Sequence, residues 1–396
     1  MKAGKTMGFI LPLLAACAIA QADPAQENAI TIGERITLRS EILDEERGLQ
    51  ISLPRGYRSS TDKYPVVYVL DGEGQFMQAV GAIRFLGKVN RMPQAIVVGI
   101  PNTNRNRDLM PPTSNPQDLT GLPDAGGAET FLAFLTNELR PHIEANYRTW
   151  PFHIIFGHSG GGLFAVHTFL NAPTAFDAYI ASSPALWWND CGEARTAETI
   201  LAQDPGRRGL LFLSRGQEIE RMTASIGELV KVLQRRDWDN LEWKFKVFTE
   251  ENHESSSHRA LYDGLAFIYE GWRFDFTYLY EAADPQRSTF TAEVLVEHYR
   301  RLSDRFGYDC RPREWYYNSV GYDLLRHELV ESAIEMFKAN ISFHPESPNV
   351  YDSLGEAYMK AGDNARAIEL YEKALELDPS SSNAAAQLEK LRDSGN

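Results

Sequence analysis

Seven short apolar runs, spaced along one stretch of chain, dictate what this sequence can fold into. Residues 49–53, 65–70, 95–100, 152–156, 178–181, 210–213 and 244–248 are rich in β-branched or aromatic side chains. Between several of them lie helical patterns, at 129–146, 163–170 and 222–235. Short apolar strands alternating with amphipathic helices require a mostly parallel sheet, because each crossover helix must cover a face of the sheet. The expectation is one large α/β domain over residues 30–280, with the sheet sandwiched by helices.

The remainder of the chain lacks that alternation. From Thr291 onward the pattern is helical, beginning with a helix at 292–306 inside a linker of 281–313. A 34-residue repeat then appears. Tyr317, Val320, Gly321, Leu324, Ala333, Phe337 and Pro345 recur as Tyr351, Leu354, Gly355, Tyr358, Ala367, Tyr371 and Pro379. This is the tetratricopeptide (TPR) spacing, in which small residues let paired antiparallel helices approach and a proline follows the second helix. The first copy departs from it at Asn340, where a small apolar residue is usual. Residues 314–396 therefore read as a small all-α unit: two repeats and a polar capping helix at 383–393. Two repeats are fewer than an independent solenoid needs. The unit is expected to pack on the α/β domain or on another subunit, as a stabilising appendage or as an arm for a protein partner or homodimer. Residues 281–396 hold 21 acids and 13 bases, a net charge of −8, so a partner face there is expected to be acidic.

The N-terminus has its own character. Lys2 and Lys5 precede an apolar run at 7–20, and Ala20-Gln21-Ala22 has the small-x-small form of a cleavage site. Residues 1–22 thus read as a secretory signal peptide, with a run too short to span a membrane. Leu14-Ala15-Ala16-Cys17 also resembles a lipobox, which offers a lipoprotein alternative. Either way the protein is expected to be exported, periplasmic or secreted, with no membrane span in its mature part. The precursor carries 40 basic and 54 acidic residues, net −14, and loses two lysines with the leader to become −16. Such a chain, with no basic block, is a poor nucleic-acid binder. No Cys-x-x-Cys or His/Cys cluster suggests a metal, and no cofactor is indicated. In an oxidising compartment Cys191 and Cys310 are either a pair or two free buried thiols.

The chemistry starts at Gly157-His158-Ser159-Gly160-Gly161, a G-x-S-x-G motif between the apolar run 152–156 and a helical run from Leu163. A serine on such a corner is held in a strained conformation that exposes its hydroxyl above the sheet, and the flanking glycines leave room for the turn. A serine needs a base. In this type of fold the acid and then the histidine follow in sequence. His253 follows the last strand within a short polar loop and takes the role of base, whereas His258 begins the next helix. The acid belongs after the preceding strand, where Glu218 is preferred and Glu220 is the alternative. Two backbone amides must hold the oxyanion. These are expected from Gly160 and from Glu73, in the loop Asp71-Gly72-Glu73-Gly74.

Four separated motifs now stand in order: Tyr68-Val69-Leu70-Asp71-Gly72, Gly157-His158-Ser159-Gly160-Gly161-Gly162, Ser182-Ser183-Pro184-Ala185-Leu186-Trp187-Trp188 and Glu251-Asn252-His253-Glu254-Ser255. Over about residues 33–275 the chain resembles the esterase-D-like family of α/β-hydrolases. That family includes siderophore trilactone, feruloyl and acetyl-sugar esterases, S-formylglutathione hydrolases and mycolyl transferases. The nearest likeness is to the siderophore-esterase branch, some members of which carry C-terminal TPR repeats. The resemblance implies Ser159 as nucleophile, His253 as base and a small-molecule ester as substrate. It leaves the acid open, since relatives often place the glutamate where this chain has Ile219. It suggests Trp187 and Trp188 as walls of an aromatic acyl pocket, with packing beneath the sheet edge as the alternative for at least one of them, and it includes Arg107-Asp108, read first as a structural ion pair. The implied activity is ester hydrolysis through an acyl-enzyme, of a siderophore trilactone type. Hydrolysis of feruloyl or acetyl-sugar esters, acyl transfer on the same fold, and a non-enzymatic TPR binding protein are the competing readings.

Overall fold

In the computed structural model, the described residues are 30–394 except Pro205 and Arg236; the expected leader and Cys17 lie outside them. Eight strands form one sheet: β1 (Glu34–Ser40), β2 (Glu45–Ser52), β3 (Tyr64–Leu70), β4 (Ile96–Ile100), β5 (Thr149–His158), β6 (Ala178–Ser182), β7 (Gly209–Gln217) and β8 (Leu241–Asn252). Their spatial order is β1-β2-β4-β3-β5-β6-β7-β8. β1 and β2 join antiparallel at one edge, and every pair from β4 to β8 is parallel. β3 is buried at every position, as a strand covered on both faces must be. Val67 and Val69 enter one core, while Val66, Tyr68 and Leu70 enter the other. β1, with the sequence ERITLRS, is mostly exposed; its charges suit an edge strand and hide it from a search for apolar runs.

The helices that position the site are α1 (Gly72–Lys88), α2 (Gly160–Asn171), α3 (Glu220–Gln234) and α4 (Ser256–Ile268). α1 corrects the expected loop at 71–74, since the helix begins at Gly72. Four glycines within it weaken its sequence signal. The helix expected at 129–146 is interrupted by a π turn at Leu135–Leu139. Pro141, in the turn that follows, has no N–H to give and crowds the carbonyl four residues earlier, so a wider turn relieves the conflict.

The C-terminal helices are α5 (Ala292–Phe306), α6 (Glu314–Arg326), α7 (Val330–Phe343), α8 (Pro348–Lys360), α9 (Asn364–Leu377) and α10 (Ser382–Ser394). One apolar core runs from the inner face of β3 through Phe152 and Trp272 to Tyr299, Phe337 and Leu391. Phe306 meets Phe152 edge-on at 5.2 Å, and Tyr308 stacks on Trp150 at 5.4 Å. Of the two settings expected for the repeats, this is packing on the α/β domain. Within the repeats, a Cβ on Gly321 would lie 2.4 Å from the Phe337 ring and one on Gly355 would lie 3.2 Å from that of Tyr371. Glycine is what lets these helix pairs close. Asn340 is fully buried and donates to the Glu314 carbonyl at 3.2 Å, which accounts for a polar residue at a small apolar position.

Cys310 is buried in the core on one side of the sheet, and Cys191 is half-buried beside the core on the other; both are free thiols. The sheet between them prevents the pairing considered from sequence. Burial pushes the Cys310 thiol up to about 12.

Candidate active site

Ser159 sits between the end of β5 and the start of α2, with φ 58° and ψ −114°. A left-handed φ on a serine is strained, and the surroundings fix it. Its amide donates to the Ser182 carbonyl at 2.9 Å, and its carbonyl accepts from Leu163 and Ala185. A Cβ on Gly157 would lie 2.0 Å from the Gly161 carbonyl oxygen, and one on Gly162 would lie 2.9 Å from that of Ser182. The turn therefore tolerates glycine alone at both positions.

The elements that follow bring the partners to this corner. His253, in the turn after β8, has Nε2 3.1 Å from Ser159 Oγ and Nδ1 2.9 Å from Glu218 Oε2. The Glu218 side chain is 2% exposed; its other oxygen accepts from Ser183 Oγ at 2.5 Å. Glu220 opens α3 and is exposed, so of the two candidate acids only Glu218 reaches the imidazole. There its charge favours a helix N-terminus and nothing more.

Residues outside the expected set hold this chain of groups in place. Ser183, itself at φ 42°, accepts from the Gly216 amide at 3.3 Å and lies 3.1 Å from Ser256 Oγ. Ser256 Oγ donates to the His253 carbonyl at 2.9 Å. His158 Nε2 is 2.8 Å from the same carbonyl oxygen, which makes that nitrogen the donor. Burial, and then the neighbouring His253, lower the pKa of His158, so it stays neutral beside the base. Ser183 and His158 stood inside recognised motifs, but their roles depend on contacts between distant segments.

On the opposite side, the N-termini of α1 and α2 converge. Glu73 lies in the first turn of α1 and Gly160 opens α2. A Cβ on Gly72 would lie 2.7 Å from the Ile100 backbone nitrogen, so glycine allows α1 to start this close to β4. Helix N-termini present free amides and positive dipole ends to a negative oxygen. Asp71 binds Arg105 through both carboxylate oxygens, at 2.6 and 3.0 Å. Arg105 Nη2 also reaches the His158 carbonyl at 3.4 Å. A Cβ on Gly160 would lie 3.0 Å from this guanidinium, which places Arg105 over the nucleophile's turn. It lies in the Asn- and Pro-rich stretch 102–127, whose course was not legible in the sequence.

The tryptophans part company. Trp188 is buried and donates Nε1–H to the Pro111 carbonyl at 2.8 Å, a packing role. Trp187 is half-buried, with the Arg221 guanidinium 4.4 Å above its ring. Arg107 and Asp108 are indeed ion-paired, within a cluster that includes Glu45 and the buried Arg47. Hydrogen bonding from Arg107 holds the Glu45 carboxyl down at about 2. Among the described residues, no group of three or more His, Cys, Asp or Glu side chains is placed to hold a metal ion. No helix of the described residues is long and apolar enough to cross a membrane.

The same fold recurs in known proteins. The ferri-bacillibactin esterase BesA of Bacillus subtilis is 38% identical over 143 residues, which are 32% of this chain and 49% of that protein. The siderophore triacetylfusarinine C esterase of Aspergillus fumigatus is 31% identical over 166 residues, 37% of this chain and 55% of that one. The chain thus spans about half the length of these curated relatives. The solved IroE-like serine hydrolase from Shewanella oneidensis superposes with a TM-score of 0.64 at 29% identity, covering 78% of this chain and 99% of that one. A tetratricopeptide repeat is matched at residues 348–381, the second copy of the repeat. The family described as Putative esterase matches residues 40–276, from the last residue of β1 to the segment after α4, and the chain belongs to that family.

Proposed function

We propose that the protein is an exported serine esterase working through an acyl-enzyme, with a siderophore-type ester as substrate. The observation that carries the reading is the unbroken hydrogen-bonded chain from Ser159 through His253 to Glu218 at a strained strand-to-helix corner. His253 Nε2 takes the Ser159 proton as Oγ attacks the ester carbonyl carbon. Glu218 keeps the proton on Nδ1 and stabilises the imidazolium. The Gly160 and Glu73 amides hold the developing oxyanion, with both helix dipoles aligned toward it. The tetrahedral intermediate collapses, the alkoxide leaves with the proton from His253, and an acyl-serine remains. Water then enters by the same route in reverse: His253 removes its proton, the carboxylic acid departs, and Ser159 is restored.

The substrate class rests on the relatives, named as esterases of ferri-bacillibactin and triacetylfusarinine C. Of the two arginines nearby, Arg105 is held by Asp71, and Arg221 over Trp187 is the one whose charge can meet a ligand of negative character. Trp187 offers an aromatic wall for the acyl group, while Trp188 is occupied by packing. Ser159→Ala is expected to abolish turnover of short p-nitrophenyl esters and labelling by a fluorophosphonate, with the circular dichroism spectrum unchanged. Undiminished hydrolysis by that variant would overturn the assignment. A panel containing a catecholate trilactone, a feruloyl ester and an acetylated sugar then tests the substrate class. A preference for either of the last two would replace the siderophore reading.

A further inference from the structure

At the end of the sheet remote from Ser159, where β3, β4 and β5 begin, a cleft of about 1250 Å³ separates the α/β domain from the C-terminal helices. Its walls come from the loop before β3, the last turns of α1 and the segment leading into α6. The charge of this cleft opposes that of the protein. Arg55, Lys63, Arg84, Lys88 and Arg313 all line it. None of them makes an ion pair with a carboxylate among the described residues, although most other arginines of the fold are paired. Three acids share the walls. Asp309 is already bound to Arg311. Asp62 and Glu314, whose carboxylate accepts from the neutral Asn349 amide, are left opposite five cations.

These cations sit at a cost. Arg313 Nη2 is buried from water and has no hydrogen-bond partner, and burial lowers the pKa of that guanidinium. Arg84 donates only to neutral oxygens, those of Ile32 and Ser52, at 3.1 Å. Its pKa is lowered by burial and then by the like charge of Arg55. A buried donor without an acceptor is expensive, and adjacent like charges add to the cost. An anion in the cleft would relieve both. Beside the cations, Phe85 and Trp315 stand 52% and 55% exposed. Arginine with exposed tryptophan and phenylalanine is the composition of a protein-binding hot spot. The volume exceeds the range of roughly 300–1,000 Å³ usual for small-molecule pockets.

We infer that this cleft docks an acidic segment of a partner polypeptide, its carboxylates facing Arg55, Arg84, Lys88 and Arg313 and an apolar side chain seated between Phe85 and Trp315. Charge complementarity selects the occupant. Four of the five cations come from the α/β side of the junction, so this basic face is distinct from the acidic partner face expected of the helical arm. This inference is independent of the ester chemistry.

The test uses the protein from residue 23 onward and a fluorescein-labelled peptide of glutamates flanking one phenylalanine, read by fluorescence anisotropy. Binding should weaken about tenfold or more between about 50 and 500 mM NaCl, as the Debye length shrinks. The double variant Arg55→Gln/Lys88→Gln should weaken it about tenfold at low salt, and Trp315→Ala about fivefold. Both variants should hydrolyse p-nitrophenyl acetate at the wild-type rate. A lysine counterpart of the peptide that binds equally well would overturn the inference. So would a glutamate peptide indifferent to both variants. Citrate or inorganic phosphate binding at this site while the peptide does not would overturn it too, in favour of a small-anion site.

Discussion

Replacing Glu218 by glutamine tests the proposed triad at the member least visible in sequence. The carboxylate is buried and accepts two hydrogen bonds, from His253 Nδ1 and from Ser183 Oγ. Glutamine keeps the shape. Its carbonyl oxygen can still accept from Nδ1–H, and its amide can donate to Ser183 Oγ, which can turn its own proton toward Ser256 at 3.1 Å. The tautomer and orientation of His253 should therefore survive, and what is lost is the charge. A hydrogen bond to a charged partner contributes about 1.5–3 kcal/mol, against about 0.5–1.5 for a neutral one. Coulomb attraction at an effective dielectric near 20 has an upper bound of about 4 kcal/mol at this range. The transition state, in which the imidazolium forms, should lose about 2–3 kcal/mol. That corresponds to a fall in kcat/KM of roughly 30- to 150-fold. The assay is stopped-flow hydrolysis of p-nitrophenyl acetate, with thermal melting to show that the fold is intact. Glu220→Gln, on the exposed first turn of α3, serves as the control and should change the rate less than about twofold. A Glu218→Gln enzyme within about threefold of wild type, or an equal loss from Glu220→Gln, would refute the reasoning.

The buried cluster around Arg47 gives a stability prediction. Asp108 and Arg47 are each 1% exposed and bonded at 2.7 Å. Asp108→Ala strands the guanidinium with Glu45 as its remaining carboxylate, at a cost of about 3–5 kcal/mol, and should lower Tm by roughly 6–15 °C in a calorimetric scan. Because the Glu45 carboxyl is held at about 2 in the fold against 4.5 ordinarily, its contribution is whole above pH 4.5 and lost as pH falls toward 2. Wild-type denaturant midpoints should decline through that window, and the decline should be shallower in Glu45→Gln. The thiols are checked by Ellman titration of the protein from residue 23 onward. One thiol, Cys191, should react in the native state and two after denaturation, with no gain on reduction, since Cys310 is buried.

What could be read from sequence was whatever local patterning controls. The parallel strands are apolar because both faces are covered, and the strand-to-helix corner at Ser159 carries its glycines within five residues. β1 escaped because an edge strand shows its charges, and α1 escaped because four glycines dilute its helix propensity, of which only Gly72 serves a close approach to β4. The choice between Glu218 and Glu220 turned on a difference of two residues along the chain. The turn after β7 separates them, tucking Glu218 under Ser183 within reach of His253 and leaving Glu220 exposed. Arg105 lies 54 residues before Ser159 in the chain, and only the fold places it above that turn. The cleft has no sequence signature, because its cations come from segments as distant as Arg55 and Arg313.

The packing of α5 against the sheet also imposes an order on synthesis. All the residues of the proposed chemistry have been made by His253, and the last helix of the catalytic fold ends at Ile268. The aromatic surface at Phe152, Tyr269 and Trp272 is not covered until Phe306 and Tyr308 have followed. At about 5–20 residues per second, those last 40 or so residues take roughly 2–8 s to translate. Until those residues are in place the chain has an uncovered aromatic flank, the kind of sticky surface that chaperones hold. The C-terminal helices are thus the closing step of the nascent chain's maturation.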